Sequence, residues 1–171
     1  MTRESGRPSE HDLRQIVQIA AIQFDEKIGI ERAALDVLVK PVYTSVLPPF
    51  FTELTNITQD DVDAKGLDLS VALDELRKFS QRYQVYIFDA DWGVLKQNSA
   101  YIQRPFDFEA HPFIRVKPLL VQWGIRENDY SSGTLYKAAG LTMGGHVHNA
   151  LHDVRSMAAA MCYFETKQTT S

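Results

Sequence analysis

The sequence predicts a three-layer α/β domain, and three observations carry that prediction. Short runs rich in β-branched apolar residues alternate with stretches of helical periodicity along the 171 residues. The first such run, Gln15 to Phe24, is almost continuously apolar, as strands covered on both faces are. Hydrophobic residues make up 44% of the chain and charged residues 23%. That composition supplies a sizeable core to a chain long enough for one compact domain and short for two.

In order, residues 1–12 are polar, carry Gly6 and Pro8, and read as a loop. After the first strand, Asp25 to Gly29 supplies a turn, and Ala34 to Val39 is a second strand ended by Pro41. A long irregular stretch with Pro48 and Pro49 follows. Thr58 then caps a helix, with Asp61 at the reciprocal position three residues on. Leu69, Val71, Ala72, Leu76 and Phe79 mark the apolar face of a helix over 69–83. Val85 to Phe88 is a short buried strand running into Asp89-Ala-Asp91, and Phe113 to Val116 is another strand. Trp92 to Ile102, Pro118 to Trp123, Thr134 to Ala139 and Asn149 to Phe164 read as helices, and Lys167 to Ser171 as a polar tail. No repeat or linker interrupts the chain, so residues 1–171 are expected to form a single domain.

A formal net charge of −4 excludes a generally basic nucleic-acid binder, but not an enzyme that grips a short strand through a local patch and metal ions. Cys162 is the only cysteine, which suits a reducing compartment; in its apolar helical run it reads as a buried spectator thiol. The opening residues do not resemble a signal peptide, and no run approaches the ~20 apolar residues of a membrane span. The expectation is a soluble, cytoplasmic protein without a membrane partner.

Two places carry chemistry. Asp91 lies just past the carboxyl end of a buried strand, where open α/β sheets tend to place their sites. Capping the next helix also accounts for an acid there, and taken alone it is the expected role of Asp91 or of Asp89. The stretch His148-Asn-Ala-Leu-His-Asp153 is more specific. Leu151, Val154, Ala158 and Met161 mark the buried face of its helix, and Asp153 lies close to that face. A carboxylate so placed needs a partner, either a salt bridge or a metal, and a histidine at the lip of the same pocket favours metal or proton-transfer chemistry. His146, His148 and His152 also permit a transition-metal site, a weaker reading because they are scattered over a loop and a helix start. Arg104, Arg115, Lys117 and Arg155 form no cluster and read as solvated surface charges.

Together these segments resemble the DEDDh-type 3′-to-5′ exonucleases, which carry an Asp-Glu-Asp-Asp set with a histidine. Gln15-Ile-Val-Gln-Ile-Ala-Ala-Ile22 resembles the second strand of that family. Val39-Lys-Pro-Val42 and Phe50-Phe-Thr-Glu-Leu-Thr-Asn-Ile-Thr-Gln-Asp-Asp-Val-Asp63 resemble its connecting segment. Asp91-Trp92 resembles its middle motif, and His148-x-Ala150-x-x-Asp153 matches its last motif, His-x-Ala-x-x-Asp. The Asp-Trp pair and Leu-Thr-Asn-Ile-Thr-Gln are most similar to the branch of ERI-type exoribonucleases.

The resemblance implies a ribonuclease-H-like fold with a five-stranded mixed sheet, and a reaction assisted by two Mg²⁺ or Mn²⁺ ions ~3.5–4 Å apart. Asp91 and Asp153 would be metal ligands, and His148 the general base that takes a proton from water. The partner would be the 3′ end of a single-stranded RNA or DNA. The family's first motif, Asp-x-Glu at the end of a first strand, falls here at Thr2-Arg-Glu4, with no apolar strand before it. The expectation is therefore a domain lacking its first strand and impaired in catalysis. The alternative is a family member that has lost catalysis and binds a nucleic-acid end or a protein.

Overall fold

The computed structural model describes residues 14–105 and 113–169. Strand β1 (Gln18–Asp25) pairs antiparallel with β2 (Ile30–Leu38), and Gln18 lies opposite Leu38. Beyond β2, Val39 forms a parallel bridge to Leu67, and its N–H donates to the Val17 carbonyl at 2.7 Å. Three helices follow: α1 (Pro49–Thr55), α2 (Gln59–Lys65) and α3 (Leu69–Ser80). Strand β3 (Val85–Ile87) leads into α4 (Asp89–Tyr101) and pairs in parallel with β4 (Phe113–Arg115). Helix α5 (Val116–Gln122), a 3-10 helix over Ser132–Ala139 and α6 (Ala150–Thr169) complete the chain.

The layers follow from the two-residue period of β1. Ile19 packs into a core with Leu69, Ala72 and Leu73 of α3, with Trp92 and Leu95 of α4 against it. On the opposite face, the Gln18 side chain reaches the start of α6, and Ile22 and Phe24 lie beside Ala158 and Cys162. Helices thus cover both faces of β1, as its unbroken apolar character predicts. A second core holds Val116 and Leu120 of α5, Leu135 of the 3-10 helix, and Met157, Ala160 and Met161 of α6. Leu73 is fully buried in the core that supports α3 and α4. Leu73→Ala is expected to cost ~2–5 kcal/mol in chemical denaturation, through lost burial and the cavity left behind.

The described residues form two two-stranded sheets, β1–β2 and β3–β4, rather than one five-stranded sheet. Between the facing edges of β1 and β3 lies a cavity, where the expected central strand would run. The expected loop over 1–12, with Thr2 and Glu4, lies outside the described residues.

Several local expectations hold and several need correction. Thr58 caps α2, accepting the Asp61 N–H at 3.1 Å while its hydroxyl donates to the Asp61 carboxylate at 2.6 Å. The polar tail expected from Lys167 is helical as far as Thr169, because α6 runs on past Phe164. The irregular stretch after Pro41 contains α1, which starts with Pro49 in its first turn and ends at Asn56 with φ 61°. Val71 points outward, and Leu73 takes its place in the core. Arg104 is largely covered, pairing with Asp74 at 2.7 Å, and Arg155 grips Glu31 with two hydrogen bonds of 2.8 Å. Cys162 is half-buried, its Sγ 3.6 Å from the Glu26 carbonyl.

Candidate active site

Two helix starts deliver the acids. Asp91 stands in the first turn of α4, its N–H donating to the Phe88 carbonyl at 3.0 Å. It is not the cap, because that place belongs to Phe88. Asp153 stands in the first turn of α6, its N–H donating to the Asn149 carbonyl at 3.0 Å. Both acids line the same end of the cavity between β1 and β3.

The charge of Asp153 is felt at Asp91. The Asp91 carboxyl is pushed up to about 6, first by the loss of hydration among surrounding protein atoms and then by the charge of Asp153. Asp91 is nonetheless exposed, since it lines the open cavity. Burial also raises the Asp153 carboxyl, against lowering contributions from the His148 N–H, the imidazoles of His148 and His152, and the Ser132 side chain. Two carboxylates that line one cavity, the charge of one raising the proton affinity of the other, form a place where a cation is favoured.

For Asp91 the folded value lies above the ordinary 3.8, so the folded chain binds the extra proton. Its contribution to stability is present below about pH 4 and is lost as pH rises through about 6. Asp91→Asn is expected to flatten the stability of the metal-free chain between pH 4 and 7, and to raise it at pH 7 by about 1 kcal/mol. Water reaching the group through the cavity screens the remainder of what the shift implies. Denaturation curves with a chelator present check this.

The surroundings fix Asp153 closely. The His148 backbone N–H donates to its Oδ1 at 3.2 Å, and His148 adopts φ 75°, which side chains other than glycine rarely take. The His148 side chain is exposed. Gly133, buried in the 3-10 helix, touches the Asp153 carboxylate so closely that any Cβ there would collide with it. The other histidines turn elsewhere: His146 Nε2 donates to the Leu54 carbonyl at 2.8 Å, and buried His152 Nε2 to the Gly133 carbonyl at 3.1 Å. The three histidines therefore do not converge on a shared metal.

The sequence reading missed two residues that hold the frame. Asn98 of α4, buried, accepts the Ile16 N–H at 3.0 Å and donates to the carbonyls of Arg14 at 2.8 Å and Val94 at 2.9 Å. Gln18 of β1 accepts the Ala150 N–H at 2.9 Å. Asn98 ties the helix that bears Asp91 to the approach to β1, and Gln18 ties β1 to the helix that bears Asp153. An asparagine in mid-helix, where it is a poor helix former, was the available signal for the first.

A family model described as an exonuclease, RNase_T, matches residues 8–161. The chain belongs to this exonuclease family. No curated protein matches the chain. Solved structures share its fold. The nuclease domain of 3′hExo, a DEDDh family member bound to rAMP, superposes with a TM-score of 0.80 at 17% identity, over 96% of this chain and 86% of that one. A full-length 3′-exonuclease gives 0.77 at 18% identity, over 98% and 77%. A 3′-exonuclease that recognises the 3′ end of a histone mRNA stem-loop gives 0.75 at 18% identity, over 93% and 58%. The exonuclease fold is thus the ribonuclease-H-like one expected from the motifs.

Proposed function

We propose that this exonuclease removes nucleotides from the 3′ end of single-stranded nucleic acid, with Asp91 and Asp153 as ligands for Mg²⁺ or Mn²⁺ and His148 as general base. One observation carries the reading: the carboxylates of Asp91 and Asp153 line one cavity, where the charge of Asp153 raises the Asp91 carboxyl, and the exposed His148 donates its backbone N–H to Asp153. Their hard oxygens suit Mg²⁺ or Mn²⁺. Such ions, when bound, activate water and neutralise the charge that develops on the leaving oxygen. The residues do the rest. His148 takes the proton of the water that adds to phosphorus as the bond to the 3′ oxygen breaks, releasing a nucleoside monophosphate. The close contact with Gly133 and the His148 N–H hold Asp153 in place. RNA is the favoured substrate, because two of the similar structures are described with rAMP and with a histone mRNA end. A reducing, cytoplasmic setting suits a chain with one cysteine.

We also propose that the chain turns over slowly as it stands. Two carboxylates bring a charge of −2, against the +4 of two divalent ions. Among the described residues no group of three or more His, Cys, Asp or Glu is placed to hold a metal. Extending the chain upstream with an apolar strand ending in Asp-x-Glu is expected to raise turnover. Equal turnover with and without the extension would remove this part of the reading.

The test uses a 5′-labelled single-stranded RNA with Mn²⁺, read as a ladder of products shortened from the 3′ end. His148→Ala is expected to slow the ladder by ~10²–10⁴-fold, the ordinary worth of a general base, with Mn²⁺ binding largely kept. Strand binding that survives chelation without any ladder, even in the extended chain, points instead to a binding module that has lost catalysis.

A further inference from the structure

His148 stands on a loop, and a loop holds a side chain only as well as its anchors do. Residues 141–149 join the 3-10 helix to α6 and form neither helix nor strand. Within them His146 to Asn149 make a tight turn, the Asn149 N–H donating to the His146 carbonyl at 3.1 Å. His148 is the third residue of that turn and takes φ 75°, a place that favours glycine or asparagine. A histidine keeps so sparsely populated a conformation only where its surroundings hold it there.

The hold comes from both sides of the turn. After it, the Asn149 side chain accepts the N–H groups of Leu151 at 3.1 Å and His152 at 3.4 Å, and the His148 N–H donates to Asp153. Before it, Gly145 lies against buried His152, so that a Cβ there would collide with the imidazole. The next residue makes the longest reach. His146 Nε2 donates at 2.8 Å to the carbonyl of Leu54, 92 positions away. Leu54 lies in the last turn of α1, where carbonyls lack an N–H partner within the helix. That end of α1 is itself fixed. The Thr55 hydroxyl, on a buried residue, donates to the Phe51 carbonyl at 2.8 Å and accepts the Ile57 N–H at 3.1 Å. Ile57 is buried in a core with Val17, Leu47 and Val62.

We propose that His146 is a positioning residue for the reaction. Its imidazole fastens the turn to α1 and so holds His148, two residues on, in the left-handed conformation from which it serves as base. The proposal rests on the reading of His148 as general base. Without the anchor the turn relaxes toward commoner backbone conformations, and a change of φ at His148 swings its imidazole. A misplacement of about 1 Å at a catalytic group costs about 10²-fold in rate. Asp91 and Asp153 stand on the first turns of α4 and α6, which the His146 bond does not join, so metal and strand binding are kept.

The test compares the intact chain with His146→Ala and His146→Gln, on the 5′-labelled RNA with Mn²⁺. His146→Ala should lower kcat by about 10²-fold while KM and the affinity for Mn²⁺ stay unchanged. His146→Gln, whose side-chain amide also donates, should recover most of the loss. An undiminished kcat in His146→Ala overturns the proposal, as does a glutamine variant no better than the alanine one. Losses in KM and Mn²⁺ affinity that match the loss in kcat mark a general loosening of the fold and overturn it too. Amide hydrogen exchange supplies a readout independent of turnover, since the His148 N–H is bonded to Asp153. His146→Ala should speed exchange at His148 and leave Ile19 and Ala21 of β1 unchanged. Equal exchange at His148 in the two chains overturns the anchor. Faster exchange there, beside a parent chain that gives no ladder at all, keeps the anchor and removes the nuclease reading, and with it the catalytic role of His146.

Discussion

Asp153→Asn is expected to drop trimming of a 3′ end to background and to remove Mn²⁺ binding, while leaving the folded structure in place. The amide has nearly the volume of the carboxyl, and its oxygen still accepts the His148 N–H that Asp153 now accepts. It lacks the charge, and a neutral oxygen on that helix turn holds a divalent cation poorly. Burial raises the Asp153 carboxyl, so losing the charge removes an unfavourable contribution at neutral pH. Calorimetric Mn²⁺ titration, the RNA ladder assay on the extended chain and a thermal melt separate these effects. Unchanged turnover in the variant, with its melt intact, would show that the site is elsewhere.

Gly133→Ala should have the next largest effect, though residue 133 touches no substrate in this reading. A Cβ there would fall on the Asp153 carboxylate and approach Val147 Cγ1 at 3.0 Å. Either the carboxylate or the 3-10 helix must move. A displacement near 1 Å at a catalytic group costs about 10²-fold in rate, and overpacking of this kind costs ~1–3 kcal/mol in stability. Gly93 provides the contrast. It lies inside α4, two residues past Asp91, and a Cβ there meets nothing within 4 Å. Gly93→Ala is expected to stabilise the helix by ~0.5–1 kcal/mol and leave turnover unchanged. Equal losses in the two variants would mean that the contact between Gly133 and Asp153 does not matter.

The site was legible in the sequence to the extent that its chemistry is carried by short local patterns. His148 and Asp153 sit five residues apart around the start of one helix, so a linear motif suffices to pair them. Asp91 was ambiguous for a physical reason: an acid at a strand end before a helix serves equally well as a cap or as a ligand. The structure gives the cap position to Phe88 and places Asp91 and Asp153 on one cavity. Gly133 and Gln18 left no local trace, since each acts only on a residue brought near by the fold, 20 residues away from Gly133 in one case and 132 from Gln18 in the other. The same holds for Arg104 and Arg155, which look like solvated charges in the sequence and become partners of Asp74 and Glu31 in space.

By itself the sequence determined the alternation of strands and helices, the two-sided burial of β1, the cap at Thr58 and the motif residues. These depend on periodicity and on side-chain chemistry within a few neighbouring positions. Only the tertiary structure decided that Asp91 and Asp153 line one cavity and that Asn98 and Gln18 brace the helices bearing them. Those features arise where segments distant in the chain meet, and the energy of such contacts is set by packing between elements, which no local pattern encodes.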